Sequence, residues 1–201
     1  MSNILFLPIF ISLLGGVLTL SFWRSIRWQK RVTLLSATAY LIVAVLLLRK
    51  VIQEGYIVLQ MGSWAAPFGI TLVADVLSAT MILLTGIVGF SAALYSMASV
   101  PNQHIRFGYF SLLQLLLAGV SGAFLTGDVF NLFVWFEVML LASFVLLTLC
   151  VERNQMEVAI KYVTIYLFSS ALFLYAIVLL YCITFSLHIP DLSLYLLSFF
   201  H

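Results

Sequence analysis

Six stretches of this chain stay apolar for about 20 residues at a time, the length a helix needs to cross a bilayer. Nothing else in the sequence restricts the fold so much. The stretches are 4–23, 32–51, 72–96, 107–125, 130–150 and 159–185. In hydrocarbon each backbone N–H and C=O must find its partner inside its own segment, so such stretches are helices. A soluble fold is excluded by composition. With 64% hydrophobic residues, 8% charged and a mean hydropathy of +1.20, the chain lacks the polar side chains to coat a globule of its size. The expected fold is an all-α, polytopic transmembrane helix bundle forming one domain over residues 1–201. It has about six spanning helices and a partial or interfacial seventh at 192–200, whose nine residues rise only about 14 Å.

The opening residues 1–20 have no basic n-region and no A-x-A-like cleavage site, so they are read as a retained first helix and not as a signal peptide. Arg24, Arg27, Lys30 and Arg31 cluster between the first two spans, and Arg106 and Arg153 fall on the same side. Only Arg49 and Lys50 lie opposite. The positive-inside rule therefore expects the N-terminus outside the inner (plasma) membrane. A net charge of +2 offers no basic patch for nucleic acid.

Residues 53–71 form the longest connection. Its Ile57-Val58-Leu59 run fits a small hairpin as well as an irregular loop, and Trp64 suits the membrane interface. Pro101-Asn102-Gln103 and Thr126-Gly127-Asp128 mark short turns. Asp128 is expected to cap the helix that follows, and Asp75 to be a boundary carboxylate reaching water. Ala118, Gly119, Gly122 and Ala123 give overlapping small-residue pairs that let backbones approach closely in lipid. Cys150 and Cys182 fall near opposite ends of their spans and are not expected to bond. His104, His188 and His201 are too dispersed for a metal cluster. No dinucleotide, P-loop, serine-elbow or iron–sulfur pattern is present, so neither cofactor nor metal nor enzymatic chemistry is expected.

Glu137 is the costly residue. It lies near the middle of the fifth span, where a carboxylate costs roughly 2.5–3.5 kcal/mol even on the gentler insertion scale. Lipid disfavours the ionised form of any carboxyl, which suits a group that takes up and releases protons. A protonated, purely structural carboxyl is the alternative, but an amide or a hydroxyl would serve that purpose more cheaply. Lys161, near the start of the sixth span, is offset from Glu137 by about 15 Å along the membrane normal. It is a candidate for a water-linked relay and equally for snorkelling to the interface.

The stretch from Pro67 to Asp75, those from Gly122 to Asp128, Phe130 to Leu132 and Val134 to Leu140 with the Trp135-Phe136-Glu137 core, and that from Ala159 to Thr164 resemble the D-type subunit of the Mrp-type (multiple resistance and pH) sodium/proton antiporters. The wider family includes the antiporter-like membrane subunits of respiratory complex I. The resemblance implies a longer polypeptide of about fourteen helices, working in a hetero-oligomer that exports sodium or another monovalent cation against proton uptake. Glu137 matches a glutamate essential for transport, and Lys161 a lysine on the sixth helix. A further lysine, on a broken seventh helix, would lie beyond His201. The chain is accordingly expected to be the proton-path portion of a truncated or split polypeptide, inactive alone and dependent on other antiporter subunits. Alternatives are a proton-translocating subunit of a complex I or hydrogenase-type assembly, and a non-transporting assembly fragment. Phe133 stands where the family usually has Tyr, and Tyr166 where Asn is common. Both changes are expected to remove or move a polar group along the proton path.

Overall fold

The structure, a computed structural model, describes residues 2–61, 69–149 and 156–199. Trp64, Cys150, Arg153 and His201, with the roles expected of them, lie outside the described residues. The chain forms α1 (Leu7–Ser21), α2 (Ile26–Glu54), β1 (Ile57–Gln60), β2 (Thr71–Ala74), α3 (Val76–Ser99), α4 (Asn102–Arg106), α5 (Tyr109–Leu125), α6 (Val129–Thr148), α7 (Met156–Thr184) and α8 (Ile189–Phe199). It is a polytopic helix bundle. Among the described residues, α2, α3, α6 and most of α7 are long and apolar enough to cross a membrane. Helices α1 and α5, with 15 and 17 residues, are shorter. A 3-10 turn at Ser2–Leu5 precedes α1, and Pro8 in its first turn supplies a pre-set φ where no N–H is needed.

Two helix starts lie well away from expectation. Helix α2 begins at Ile26 instead of residue 32, so Arg27, Lys30 and Arg31 sit on its first turns and not in a loop. Basic side chains there extend the helix past the hydrocarbon at no cost in lipid. Lys30 donates to the Met97 carbonyl at 2.7 Å, satisfying an orphan acceptor in the last turn of α3. The third span begins at Val76, because Thr71–Ala74 is strand and pairs antiparallel with Ile57–Gln60. The hairpin reading of the 53–71 connection therefore holds, with its second strand recruited from residues expected in the helix. The short helix α4 was not anticipated.

The two ends of the bundle differ. One carries the β-strands, the α5–α6 turn and the start of α8; the other carries the α1–α2 turn and α4, with Arg24, Arg27, Lys30, Arg31 and Arg106. At the strand end Gly127 N–H donates to Thr71 O at 2.9 Å, Val129 N–H to Leu187 O at 3.0 Å and Ile189 N–H to Gly127 O at 3.1 Å. These bonds tie three connections into one platform. The neighbouring half of the core is dry, built from Leu5, Ile9, Ala44, Leu47, Leu72, Ile82 and Leu125. Toward the basic end the α1–α2–α5 seam is held by hydroxyl and amide pairs: Tyr40 with Ser121 at 2.7 Å, Gln114 with Ser36, and Thr19 with Ser111 at 2.8 Å. Interhelical polar pairs of this kind fasten helices where lipid supplies no hydrophobic drive.

Helix α5 packs against α1, α3 and α6. Gly119 and Gly122 face α6: a Cβ on Gly119 would lie 2.9 Å from the Met139 backbone nitrogen, and one on Gly122 would enter the Trp135 ring. The small-residue face thus brings α6 close, and α7 lies against the far side of α6.

Candidate functional site

Helix α6 starts on a firm register. Asp128 is its N-cap, and its Oδ1 accepts from Asn131 N–H at 2.8 Å, as expected. The Asn131 side chain, buried, donates to Thr126 Oγ1 at 2.8 Å. Asp75 caps α3 in the same way, accepting from Ser78 N–H at 2.7 Å, and that bond holds its carboxyl below the usual range. The indole of Trp135, laid on Gly122, fixes the face of α6 that meets α5. Glu137 lies two residues on, about 200° around the helix at 100° per residue. It therefore points away from α5.

Its carboxyl is half-buried and faces α7. Tyr166, buried on α7, donates its hydroxyl to Glu137 Oε2, and Ser170, one turn further, donates to Oε1. Both carboxyl oxygens are thereby engaged by side chains of one neighbouring helix. Each such bond is worth more in the thin polar seam between two apolar helices than in water. The carboxyl belongs to an interhelical cluster and not to the lipid-facing side of α6.

The surroundings are unequal along the helix axes. Toward the basic end, Tyr162 lies one turn from Tyr166 and shares a hydrogen bond with Ser143 of α6 at 3.1 Å, its ring stacked on Phe144 with centroids 6.2 Å apart. Toward the strand end stand Phe133 and Phe136, both edge-to-face with Phe173 at centroid distances of 5.8 and 6.1 Å. Phe133 is thus one wall of an aromatic cluster beside the carboxyl.

The structure does not bring Lys161 to Glu137. Its Nζ lies 2.6 Å from Glu157 Oε1 within α7, and both side chains are largely exposed. Tyr166 was expected to remove or move a polar group, and its hydroxyl places one on the Glu137 carboxyl. Ser170 was not singled out from the sequence. Its position four residues after Tyr166, on the same helical face, is the signal that could have found it. Cys182 is free and exposed, and among the described residues no group of His, Cys, Asp and Glu could hold a metal ion.

Residues 126–201, which include Glu137, Tyr166 and Ser170, match the membrane family described as NADH:quinone oxidoreductase/Mrp antiporter. That match takes in the C-terminal part of the chain. It is 38% identical over 193 residues to the D-type Na(+)/H(+) antiporter subunit of Alkalihalophilus pseudofirmus, a match covering 96% of this chain and 39% of the relative. The chain thus spans about two-fifths of the length of the antiporter polypeptide it matches. Among solved structures, the Mrp complex of Dietzia sp. contains a chain that superposes with a TM-score of 0.85 at 29% identity, covering 95% of this chain and 36% of that one. A chain of the membrane-bound sulfane sulfur reductase, an archaeal respiratory membrane complex, also gives a TM-score of 0.85, at 27% identity, covering 96% of this chain and 39% of that one. The family places the Glu137 cluster in a multi-pass membrane protein whose relatives are subunits of larger complexes.

Proposed function

We propose that this chain is the proton-handling portion of a membrane subunit of a monovalent cation/proton antiporter, with sodium as the cation and Glu137 as the residue that takes up and releases the proton. One observation carries the reading: a carboxyl within a membrane helix, turned from the α5 side to α7, with Tyr166 and Ser170 donating to its two oxygens. A group so held is kept from bulk water yet has polar neighbours through which a proton can pass. The likeness to a D-type antiporter subunit over 96% of the chain supports the cation and the reaction class. Residues 1–201 act as one transmembrane domain within a hetero-oligomer of antiporter subunits and complete the transport path only with other segments or chains. The basic end faces the cytoplasm of a plasma-membrane protein, placing the N-terminus outside.

Lys161 enters as a relay only through water lying between it and Glu137. Its pairing with Glu157 on an exposed face favours a part at the membrane surface. A second reading, membership in a redox-driven proton-translocating complex, is favoured by the likeness to the sulfane sulfur reductase chain. It leaves the role of Glu137 unchanged and alters only what drives it. The test is Glu137→Gln in the assembled complex in inverted membrane vesicles, with proton movement followed after a sodium pulse. Loss of sodium-driven proton movement with intact assembly is expected. Undiminished exchange would reject the proton-carrying role. Proton movement that answers to a quinone or sulfur-compound reductant and never to sodium would select the second reading.

A further inference from the structure

At the strand end of the α6–α7 interface a cavity of about 500 Å³ opens between the helices. Asp128, Phe130, Asn131 and Val134 of the α6 segment line one side, and Tyr181 and Ser186 are on the other. Val134 is one helical turn from Glu137, so the cavity reaches along α6 to within about 5 Å of axial rise of that residue. What separates the two is aromatic. Phe133 lies one turn from Glu137 and Phe173 one turn from Ser170, both on the cavity side, and Phe173 meets Phe133 and Phe136 edge-to-face. Phe130, a wall of the cavity, lies beside Phe133 with ring centroids 6.4 Å apart, which puts the cavity next to the cluster.

We propose that this cavity is the water-filled approach by which hydrated protons and small monovalent cations reach Glu137 from the strand end, and that Phe133, Phe136 and Phe173 form the apolar barrier that closes it. The inference rests on the proton-carrying role of Glu137 and adds the direction of its access. Asp128 brings a carboxylate to a lining that is otherwise mostly apolar, with Asn131 and Ser186 as its other polar side chains, and a carboxylate in such a cleft draws cations toward it. Constrictions of packed apolar side chains gate by excluding water, and ions cannot cross until the constriction wets. Toward the other end the neighbours of Glu137 are hydroxyls, with the Tyr162–Ser143 pair one turn beyond Tyr166. The carboxyl is thus sealed on the cavity side and wettable on the other, the asymmetry a carrier needs to avoid joining both compartments at once.

The assembled complex containing this chain, reconstituted in liposomes with a pH-sensitive dye inside, tests the barrier. Phe173→Ala should produce a sodium-independent proton leak at least five-fold above the unmodified complex. Phe173→Leu, which keeps the site apolar and filled, should not leak, and adding Glu137→Gln to Phe173→Ala should remove the leak. An assembled Phe173→Ala complex no leakier than the parent would overturn the barrier. A leak that persists with Glu137→Gln would overturn the route, since protons would then pass without the carboxyl. Thiol labelling gives a second measurement should Phe173→Ala fail to assemble. With Cys150 and Cys182 replaced by Ser, Val134→Cys should react with a charged, membrane-impermeant thiol reagent and Glu137→Cys should not. No reaction at Val134→Cys, or equal reaction at both, would overturn the vestibule. Failure of the proton-carrying role itself is read separately, from sodium-driven exchange in Glu137→Gln alone.

Discussion

The hydroxyl pair on Glu137 makes a quantitative prediction through a double-mutant cycle of Glu137→Leu and Tyr166→Phe. Both replacements keep the side chain large and apolar and remove only the polar partner. A hydrogen bond to a neutral acceptor contributes about 0.5–1.5 kcal/mol net, and one to a charged acceptor about 1.5–3 kcal/mol. Tyr166→Phe should cost an amount in one of those ranges, since its hydroxyl has Glu137 as acceptor and the residue is buried. Glu137→Leu strands both hydroxyls, and an unsatisfied buried donor costs roughly 1–3 kcal/mol. With the donor already absent, the cost of Glu137→Leu should shrink by the coupling energy. The assay is unfolding of the full chain in mild detergent, followed by circular dichroism, for the parent, the two single variants and the double variant. A coupling of about 0.5–1.5 kcal/mol identifies a protonated carboxyl, and about 1.5–3 kcal/mol an ionised one. Additivity within about 0.3 kcal/mol, the scatter of independent sites, would refute the interhelical cluster.

Further consequences are open to simpler measurements. Gly122→Leu should destabilise the chain by about 1–3 kcal/mol or more, because its side chain would have to displace the Trp135 ring, and a lowered melting temperature would register it. Asp75→Ala should remove the α3 cap at a cost of about 1 kcal/mol. The bond from Ser78 N–H holds the Asp75 carboxyl below its ordinary range, so its stabilising contribution is present above about pH 4, the unfolded value, and is lost as pH falls through the lower folded value. Asp75→Ala should therefore flatten the acid limb of a stability-versus-pH curve. Lys161→Ala should change stability by less than about 0.5 kcal/mol, since an exposed i,i+4 ion pair contributes little. Its effect on sodium-driven exchange decides between a relay and a surface role.

Much of the architecture follows from hydropathy, because in lipid a long apolar run has helix as its one open-ended solution. Asp128 could be read as a cap from its place before an apolar run, and the Gly119 and Gly122 spacing as a close approach. Boundaries were harder for a physical reason. Arg27, Gln29, Lys30 and Arg31 break the hydropathy signal without breaking the helix, since backbone hydrogen bonds do not depend on side-chain polarity. Thr71–Ala74 is apolar and β-branched enough for strand or helix, and only its pairing with Ile57–Gln60 decides. Glu137 stood out because a carboxyl in hydrocarbon needs a reason. Tyr166 was noticed only as a departure from the resembling family and Ser170 not at all, since both residue types are common in membrane helices and their meaning depends on which face of α7 meets α6. Lys161 attracted notice by its charge and by the family resemblance, and the sequence did not single out its partner Glu157, four residues earlier on the same helix.

Infrared difference spectroscopy of the assembled complex tests the proton-carrying role of Glu137 most directly. A proton arriving on a carboxylate creates a carbonyl stretch well separated from amide bands, and a departing proton erases it. A sodium jump in the parent complex should change a protonated-carboxyl band that is missing from Glu137→Gln and displaced in Tyr166→Phe, whose hydroxyl no longer bonds to the group. A sodium-driven carboxyl band that persists in Glu137→Gln, or no such band in a parent complex that exchanges sodium for protons, would contradict the role assigned to this residue.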